Sequence, residues 1–381
     1  MTINIGFISD AVFPWHVGGV EKTEKIEAEE LAKNKNYKVS FICGRWKGMQ
    51  KTFKDGNIYY NTIMKIDDSK FYKNGRRSII TSIFYAINTF KIFRYRFDLV
   101  EVNFFPILHL PIVRLYSKIT GCKLVLDVAE VWNKDYWINY LGAFFGRMGY
   151  YYMKFSLKMA DAYIINSSIT ANEAIKLGIK KDKINIYSPI IDDKKMLRIK
   201  NSIRKKEKRI IYAGRFIKEK RLDIFVDVIN KLYQKNKNIK AELIGSGPEE
   251  KNIKTRIYDL NLENVIRVKK PYKNQKDIFY EIAKSYVTFL PSEREGLSAL
   301  SIESIALNTP VVLPNYTPIP KEVKEMCIVE SVEKIPDILN RILLDEKPEN
   351  YIKNKENLKY FSISKIDTFY SKLFTDLKIK I

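Results

Sequence analysis

Two carboxylates eight residues apart, Glu295 and Glu303, bracket a junction in the stretch Pro291-Ser-Glu-Arg-Glu-Gly-Leu-Ser-Ala-Leu-Ser-Ile-Glu303. The apolar run Tyr286–Leu290 before it predicts a short buried strand. Pro291 and Gly296 break the chain there, and a helix is expected from Ser298, its N-cap, to about Leu307. Free amides and the positive end of the macrodipole make a helix start an anion site. A helix mouth suits phosphate and carboxylates suit hydroxyls, so the pattern points to a ligand carrying both, a sugar nucleotide. Taken alone, the segment also fits an ordinary junction in which acids complement the dipole.

The rest of the chain supplies strands and helices in alternation. Ile3–Ser9 predicts a first strand, followed by a loop holding Gly18 and Gly19, a helix to about Lys35 and a strand at Lys38–Cys43. Paired glycines let backbone approach a phosphate or sugar closely, although the spacing is not GxGxxG. Further strands are expected at Asp98–Asn103, Lys123–Asp127 and Ala162–Asn166. Such alternation argues for α/β architecture with a parallel sheet, and ligands then sit beyond the carboxyl ends of the strands. The residues at those ends are Asp10 to Gly19, Asn103 to Pro106, Asp127 to Trp132 (with Glu130) and Asn166 to Ser168. After Pro189, the charged run Ile190–Lys208 reads as an interdomain linker. A second series follows. Arg209–Ala213 runs into Gly214-Arg215 and on to Lys220, Ala241–Ile244 into Gly245-Ser246-Gly247-Pro248, and Val265–Lys269 into Lys270-Pro271-Tyr272.

Composition sets bounds. The 381 residues suffice for two domains, and 46% hydrophobic residues exclude a wholly disordered chain. Three scattered cysteines and two histidines, with no CxxC, offer neither a disulfide framework nor a zinc cluster and fit a reducing compartment. The N-terminus reads as a strand rather than a signal peptide, and no apolar run reaches the ~18 residues of a membrane span. The net charge of +23 is compatible with phosphorylated substrates, anionic lipid or nucleic acid, and also with a chain globally rich in Lys, Ile, Asn and Tyr. No nucleic-acid-binding signature accompanies the charge, so no nucleic-acid partner is expected.

One segment stands apart. Ser69–Phe97 has no acidic residue and seven basic ones, Lys70, Lys73, Arg76, Arg77, Lys91, Arg94 and Arg96, around the apolar stretch Ser78–Phe90. Such a pattern fits an interfacial element on an anionic membrane surface. It also fits a buried helix with solvated ends, the more ordinary reading. A cluster at Tyr150, Tyr151, Tyr152 and Phe155, with Arg147, Lys154 and Lys158, repeats the theme more weakly.

Gly214-Arg215 with Lys220, Gly245-Ser-Gly-Pro248, Pro291-Ser292, Glu295-Gly296, Glu303 and Ala306-Leu-Asn-Thr-Pro310-Val-Val312 fall in an order and spacing that resemble the retaining glycosyltransferases of family 4. Gly18-Gly19-Val20-Glu21 matches that family's first-domain loop, so the resemblance covers nearly the whole chain. It implies the GT-B fold, with two Rossmann-like domains facing each other across a cleft. Residues 1–190 would bind the acceptor, residues 205–362 the nucleotide sugar, and residues 363–381 would form a helix returning to the first domain. It implies transfer of a sugar from a nucleotide sugar to a glycan or lipid-linked acceptor, with no cofactor and no metal. Glu295 would face the donor sugar and Glu303 the ribose hydroxyls. Arg215, Lys220 and the amides after Gly296, at Leu297 and Ser298, would hold the diphosphate. Base selection is expected around Gly245–Pro248 and Lys270–Tyr272. Where the family commonly carries a histidine, this chain reads Asp127-Val-Ala-Glu130, so Asp127, Glu130 or His16 would orient the acceptor. That departure also admits a catalytically silent binding or scaffold subunit. A cytoplasmic protein, peripheral on the membrane, is the expected setting. Asn308 replaces a usual glycine, which a left-handed turn would tolerate.

Overall fold

The computed structural model describes residues 2–73, 76–346, 357–358 and 361–379. The chain divides into two compact units, Met1–Pro189 with Ile363–Ile381, and Ile190–Ser362.

In the first unit the chain runs β1 (Ile3–Ser9), α1 (Gly19–Leu31), β2 (Tyr37–Arg45), β3 (Thr52–Asp55), β4 (Ile58–Lys65), α2 (Asp68–Phe71), β5 (Tyr72–Lys73), β6 (Arg76–Arg77) and α3 (Ile79–Thr89). It continues through β7 (Leu99–Asn103), α4 (Leu110–Thr120), β8 (Lys123–Val128), α5 (Lys134–Leu141), α6 (Ala143–Leu157), β9 (Ala162–Ile165), α7 (Ser168–Lys176) and β10 (Ile184–Ile186). Eight strands form one sheet in the order β10-β9-β8-β7-β1-β2-β4-β3, parallel except where β3 runs against β4. The strands are apolar on both faces because both are covered, as parallel sheets require. Alternation sorts the side chains. Phe7, Phe41, Leu99, Val125 and Ile164 join one core, and Ile8, Ile42, Val100, Leu126 and Ile165 the other. The first core is roofed by α1 and by the C-terminal helix α15 (Ile366–Asp376), through Leu31, Ile366, Tyr370 and Phe374. The second is roofed by α3, α4, α6 and α7, through Tyr85, Val113, Met153 and Ala174.

The second unit opens on α8 (Asp193–Ser202), then β11 (Glu207–Ala213), α9 (Leu222–Lys235), β12 (Lys240–Ile244), α10 (Glu250–Asp259), β13 (Ile266–Lys269) and α11 (Gln275–Lys284). It closes with β14 (Ser285–Phe289), α12 (Ala299–Ala306), β15 (Val311–Pro314), α13 (Lys321–Lys324), β16 (Ile328–Glu330) and α14 (Ile335–Leu343). Its six parallel strands lie in the order β13-β12-β11-β14-β15-β16. α9 shows why its sequence is helical: Leu222, Phe225, Val226, Ile229 and Leu232 recur at helical spacing and are all buried.

Two expectations need correction. Ile190–Lys208 is not a bare linker. Asp192 accepts from the Lys195 amide at 3.0 Å and starts α8, whose Met196 and Ile199, three residues apart, are buried in the second unit's core. And α3 is not a buried helix with solvated ends. It buries Ser82, Tyr85, Ala86 and Thr89 along one side, while Ile80, Phe84 and Ile87 on the other are more than half exposed. Asn308 takes φ 62°, the left-handed conformation its position requires.

Candidate active site

In the second unit the strand order reverses direction between β11 and β14. The chain leaves β11 toward β12 and leaves β14 toward β15, so the two following loops diverge and open a crevice at the strand ends. Three contacts join these loops. The Glu293 amide donates to the Glu219 carbonyl at 3.0 Å, Arg221 pairs with Glu293 at 2.9 Å, and Lys220 Nζ lies 2.6 Å from Glu295 Oε1. The last pair is enclosed, with side-chain exposures of 19% for Lys220 and 9% for Glu295. Arg215 is exposed; its carbonyl accepts from the Tyr212 hydroxyl at 3.2 Å, while its guanidinium makes no hydrogen bond or ion pair among the described residues. The structure thus brings Lys220 and Glu295 together and leaves the second cation free at the same strand end.

Gly245 and Gly247 act from beneath. A Cβ on Gly245 would lie 1.9 Å from the Gly214 carbonyl oxygen, and one on Gly247 2.3 Å from that of Phe216. The Phe216 amide donates to the Ser246 carbonyl at 2.9 Å. These glycines therefore let the β12 loop press against the loop carrying Arg215. Tyr272, half-buried, lies beyond β13 with its hydroxyl 3.5 Å from Lys269 Nζ, which Glu242 holds at 2.6 Å.

Gly296, Leu297 and Ser298 lead into α12. Ser298 does not cap it in the expected way. Its backbone is left-handed at φ 63°, and its hydroxyl meets that of Ser301 at 2.7 Å rather than a backbone amide. A non-glycine residue held so costs on the order of 1–3 kcal/mol, a strain that clusters at ligand sites. The Ser298 side chain does not cap the helix and the Ser301 amide turns back to the Ser298 carbonyl at 3.0 Å, so among the described residues the Ala299 and Leu300 amides keep their anion-binding capacity. Glu303, half-buried just over one turn into the helix, accepts from Gln275 Nε2 of α11 at 3.3 Å.

The first unit gathers charge at the ends of β1 and β8. Glu21 Oε2 would stand 2.0 Å from a Cβ on Gly18, so that glycine admits the carboxylate of its own helix, whereas Gly19 faces open space. His16 Nδ1 pairs with Glu21 at 3.0 Å, and the Tyr72 hydroxyl lies 3.2 Å from His16 Nε2. Burial, the largest single influence, would raise the Glu21 pKa, but His16, a backbone hydrogen bond and Arg77 together hold the group below its usual range. Asp127, at the end of β8, is buried and pushed up to about 7 by desolvation. Glu130 follows it, half-buried.

Sequence reasoning placed Asp10 at a strand end and Arg77 in a basic segment but did not pair them. Asp10 ends β1, only 1% exposed, and Arg77 Nη2 meets it at 2.6 Å. Desolvation lifts Asp10 to about 6, against the pull of Arg77. Asp10 carried a signal, a carboxylate closing an apolar strand. Arg77 carried none, because its partner lies 67 residues away.

Residues 17–195 match the family described as Glycosyltransferase Family 4, and residues 193–358 match the Glycosyl transferases group 1 family. The chain belongs to the family 4 type of glycosyltransferase. Among relatives, it is 30% identical over 202 residues to an uncharacterized glycosyltransferase of Haemophilus influenzae, covering 51% of this chain and 56% of that protein. It is 25% identical over 162 residues to the amylovoran biosynthesis glycosyltransferase AmsK of Erwinia amylovora, covering 41% and 39%. The chain thus spans about half the length of the curated relatives it matches. A trehalose-6-phosphate protein of E. coli, solved with UDP-2-fluoro glucose, aligns over 99% of both chains with a TM-score of 0.72 at 12% identity. That likeness places the fold in the GT-B class. Both family matches meet at residues 193–195, where α8 begins.

Proposed function

We propose that this glycosyltransferase moves a sugar, with retention and without a metal, from a nucleotide sugar to a glycan or lipid-linked acceptor. The observation that carries the reading is the enclosed Lys220–Glu295 pair beside a free Arg215 and an uncapped α12 start. Departure of a nucleoside diphosphate builds negative charge, and two cations with helix amides stabilise it where it forms. Lys220 would exchange Glu295 for the diphosphate, leaving the Glu295 carboxylate toward the sugar. Glu303 would accept hydrogen bonds from the ribose hydroxyls. The acceptor oxygen attacks the anomeric carbon on the face the leaving group vacates. As the carbon–oxygen bond to phosphate breaks, the acceptor proton passes to the leaving phosphate oxygen. Asp127 and Glu130 would orient the acceptor, and Tyr272 with the Gly245–Gly247 loop would meet the base. The UDP-2-fluoro glucose bound by the E. coli protein supports a uridine nucleotide as the first donor to test, and AmsK's part in amylovoran biosynthesis supports a glycan product. We place the protein in the cytoplasm, peripheral on an anionic membrane. No helix among the described residues is long and apolar enough to cross one.

A thermal-shift panel of nucleoside diphosphates and their sugars tests the donor half. A ligand at a hundred times its Kd adds about 2.7 kcal/mol to stability and raises Tm. Transfer should persist in EDTA, and the product should keep the donor's anomeric configuration. A panel in which no nucleotide shifts Tm or is turned over would overturn the reading.

A further inference from the structure

Helices on the surface of a soluble domain carry a polar outer stripe. Three helices of the first unit break that rule on the same face of its sheet. α6 buries Met153 and Leu157 inward, yet its outer stripe is Phe144, Met148, Tyr151 and Phe155, at spacings of four, three and four, all at least 55% exposed. α3 repeats this with Ile80, Phe84 and Ile87, and α4 adds Leu115 and Ile119. All three roof one core, so their outward sides belong to one layer. Scattered apolar residues on a surface are ordinary, but stripes on neighbouring helices of one layer mark an interaction surface.

Charge selects the occupant. Residues 69–97, 102–126 and 136–160, which contain these helices, include no Asp or Glu at all. They carry seven, three and three Lys or Arg respectively. A second copy of this chain would have to lay this positive face against itself across a two-fold axis, setting like charges together. An anionic bilayer meets both properties. It accepts apolar stripes in the acyl region, basic side chains at the headgroups, and tyrosines such as Tyr150 and Tyr151 at the boundary.

We propose that the outer face of the α3, α4 and α6 layer docks the protein flat on an anionic lipid surface. This deepens the membrane part of the functional reading and does not depend on its chemistry, because docking needs neither donor nor acceptor. The test is co-sedimentation of the full chain with phosphatidylcholine vesicles, with and without phosphatidylglycerol. The protein should pellet with the anionic vesicles, weakly with the neutral ones, and less as salt rises. Ile80→Glu with Phe84→Glu on α3, and separately Phe144→Glu with Phe155→Glu on α6, should each lower the partition roughly tenfold. Each pair substitutes exposed positions only, so Tm and any nucleotide-induced shift should be unchanged. That keeps failure of docking distinct from failure of the donor site. Absence of pelleting at low salt, equal pelleting with neutral vesicles, or normal pelleting by both variants would overturn the proposal. So would a wild-type dimer that either variant converts to monomer.

Discussion

Glu295 is 9% exposed with an ammonium 2.6 Å away, so removing either partner leaves an enclosed charge without its complement. The two glutamates should nevertheless separate cleanly in kinetics. An interaction made equally in the ground and transition states moves KM, and one made only as charge develops moves kcat. Glu303, held by Gln275 on a different helix, belongs to the first kind, so Glu303→Ala should weaken nucleoside diphosphate binding about tenfold, as loss of a charged hydrogen bond does. Glu295→Gln should leave calorimetric affinity for the diphosphate within a few-fold and lower turnover by ~10²-fold or more. Lys220→Met should lower both, with affinity down ~10-fold or more. Equal affinity for the nucleotide in wild type and Lys220→Met would remove Lys220 from the diphosphate.

Among the elements, the loops after β11 and β12 act as one piece, because backbone meets backbone where glycines leave room. Gly245→Ala would set a methyl 1.9 Å from the Gly214 carbonyl, and that contact has no flexible side chain to yield. Overpacking of this kind costs typically ~1–3 kcal/mol, so Tm should fall and nucleotide affinity with it as the Arg215 loop is displaced. Gly19→Ala, facing open space, should leave Tm unchanged and serves as the control. The strands that carry these loops are legible in the sequence, because strands covered on both faces leave largely apolar runs such as Tyr286–Leu290. Glycines at their ends are equally legible as close approaches. Less so is α8, whose two buried side chains are hidden among lysines and whose start rests on one aspartate. Pairings across the fold are not legible at all. Nothing local in Arg77 points to Asp10, and nothing in Ser298 announces a left-handed turn instead of a cap. The apolar outer stripe of α3 can be counted in the sequence, but which side is outward follows only from the sheet it packs on.

At the scale of the whole chain, the first unit is closed by its last helix, and that closure depends on protons. Tyr370 of α15 donates to Glu101 of β7, 269 residues away in sequence. Glu27 and Glu24 of α1 and Asp127 of β8 act on Glu101 and on one another as a buried group of carboxyls. Desolvation, then mutual repulsion, raises Glu24, Glu27 and Glu101 well above the ordinary carboxylate range, and desolvation alone lifts Asp127 to about 7. Because these folded-state values exceed the unfolded ones, the native state binds more protons, and stability must fall as pH rises. The loss begins above the unfolded values near pH 4 and continues through the raised values, about 7 for Asp127 and higher for the Glu27–Glu101 pair. Glu21, held low by His16, contributes in the opposite sense, but only in the acid range. Wild-type Tm should therefore decline steadily from roughly pH 6 to pH 9. Glu101→Gln keeps an acceptor for the Tyr370 hydroxyl and removes one titrating charge, so its decline should be shallower over the same range. Hydrogen exchange at α15 should quicken in wild type as pH rises, beyond the intrinsic chemical rate, and less so in Glu101→Gln. A wild-type Tm that climbs toward alkaline pH would show that these carboxyls fold ionised, and the proton-dependent seat of α15 would have to be abandoned.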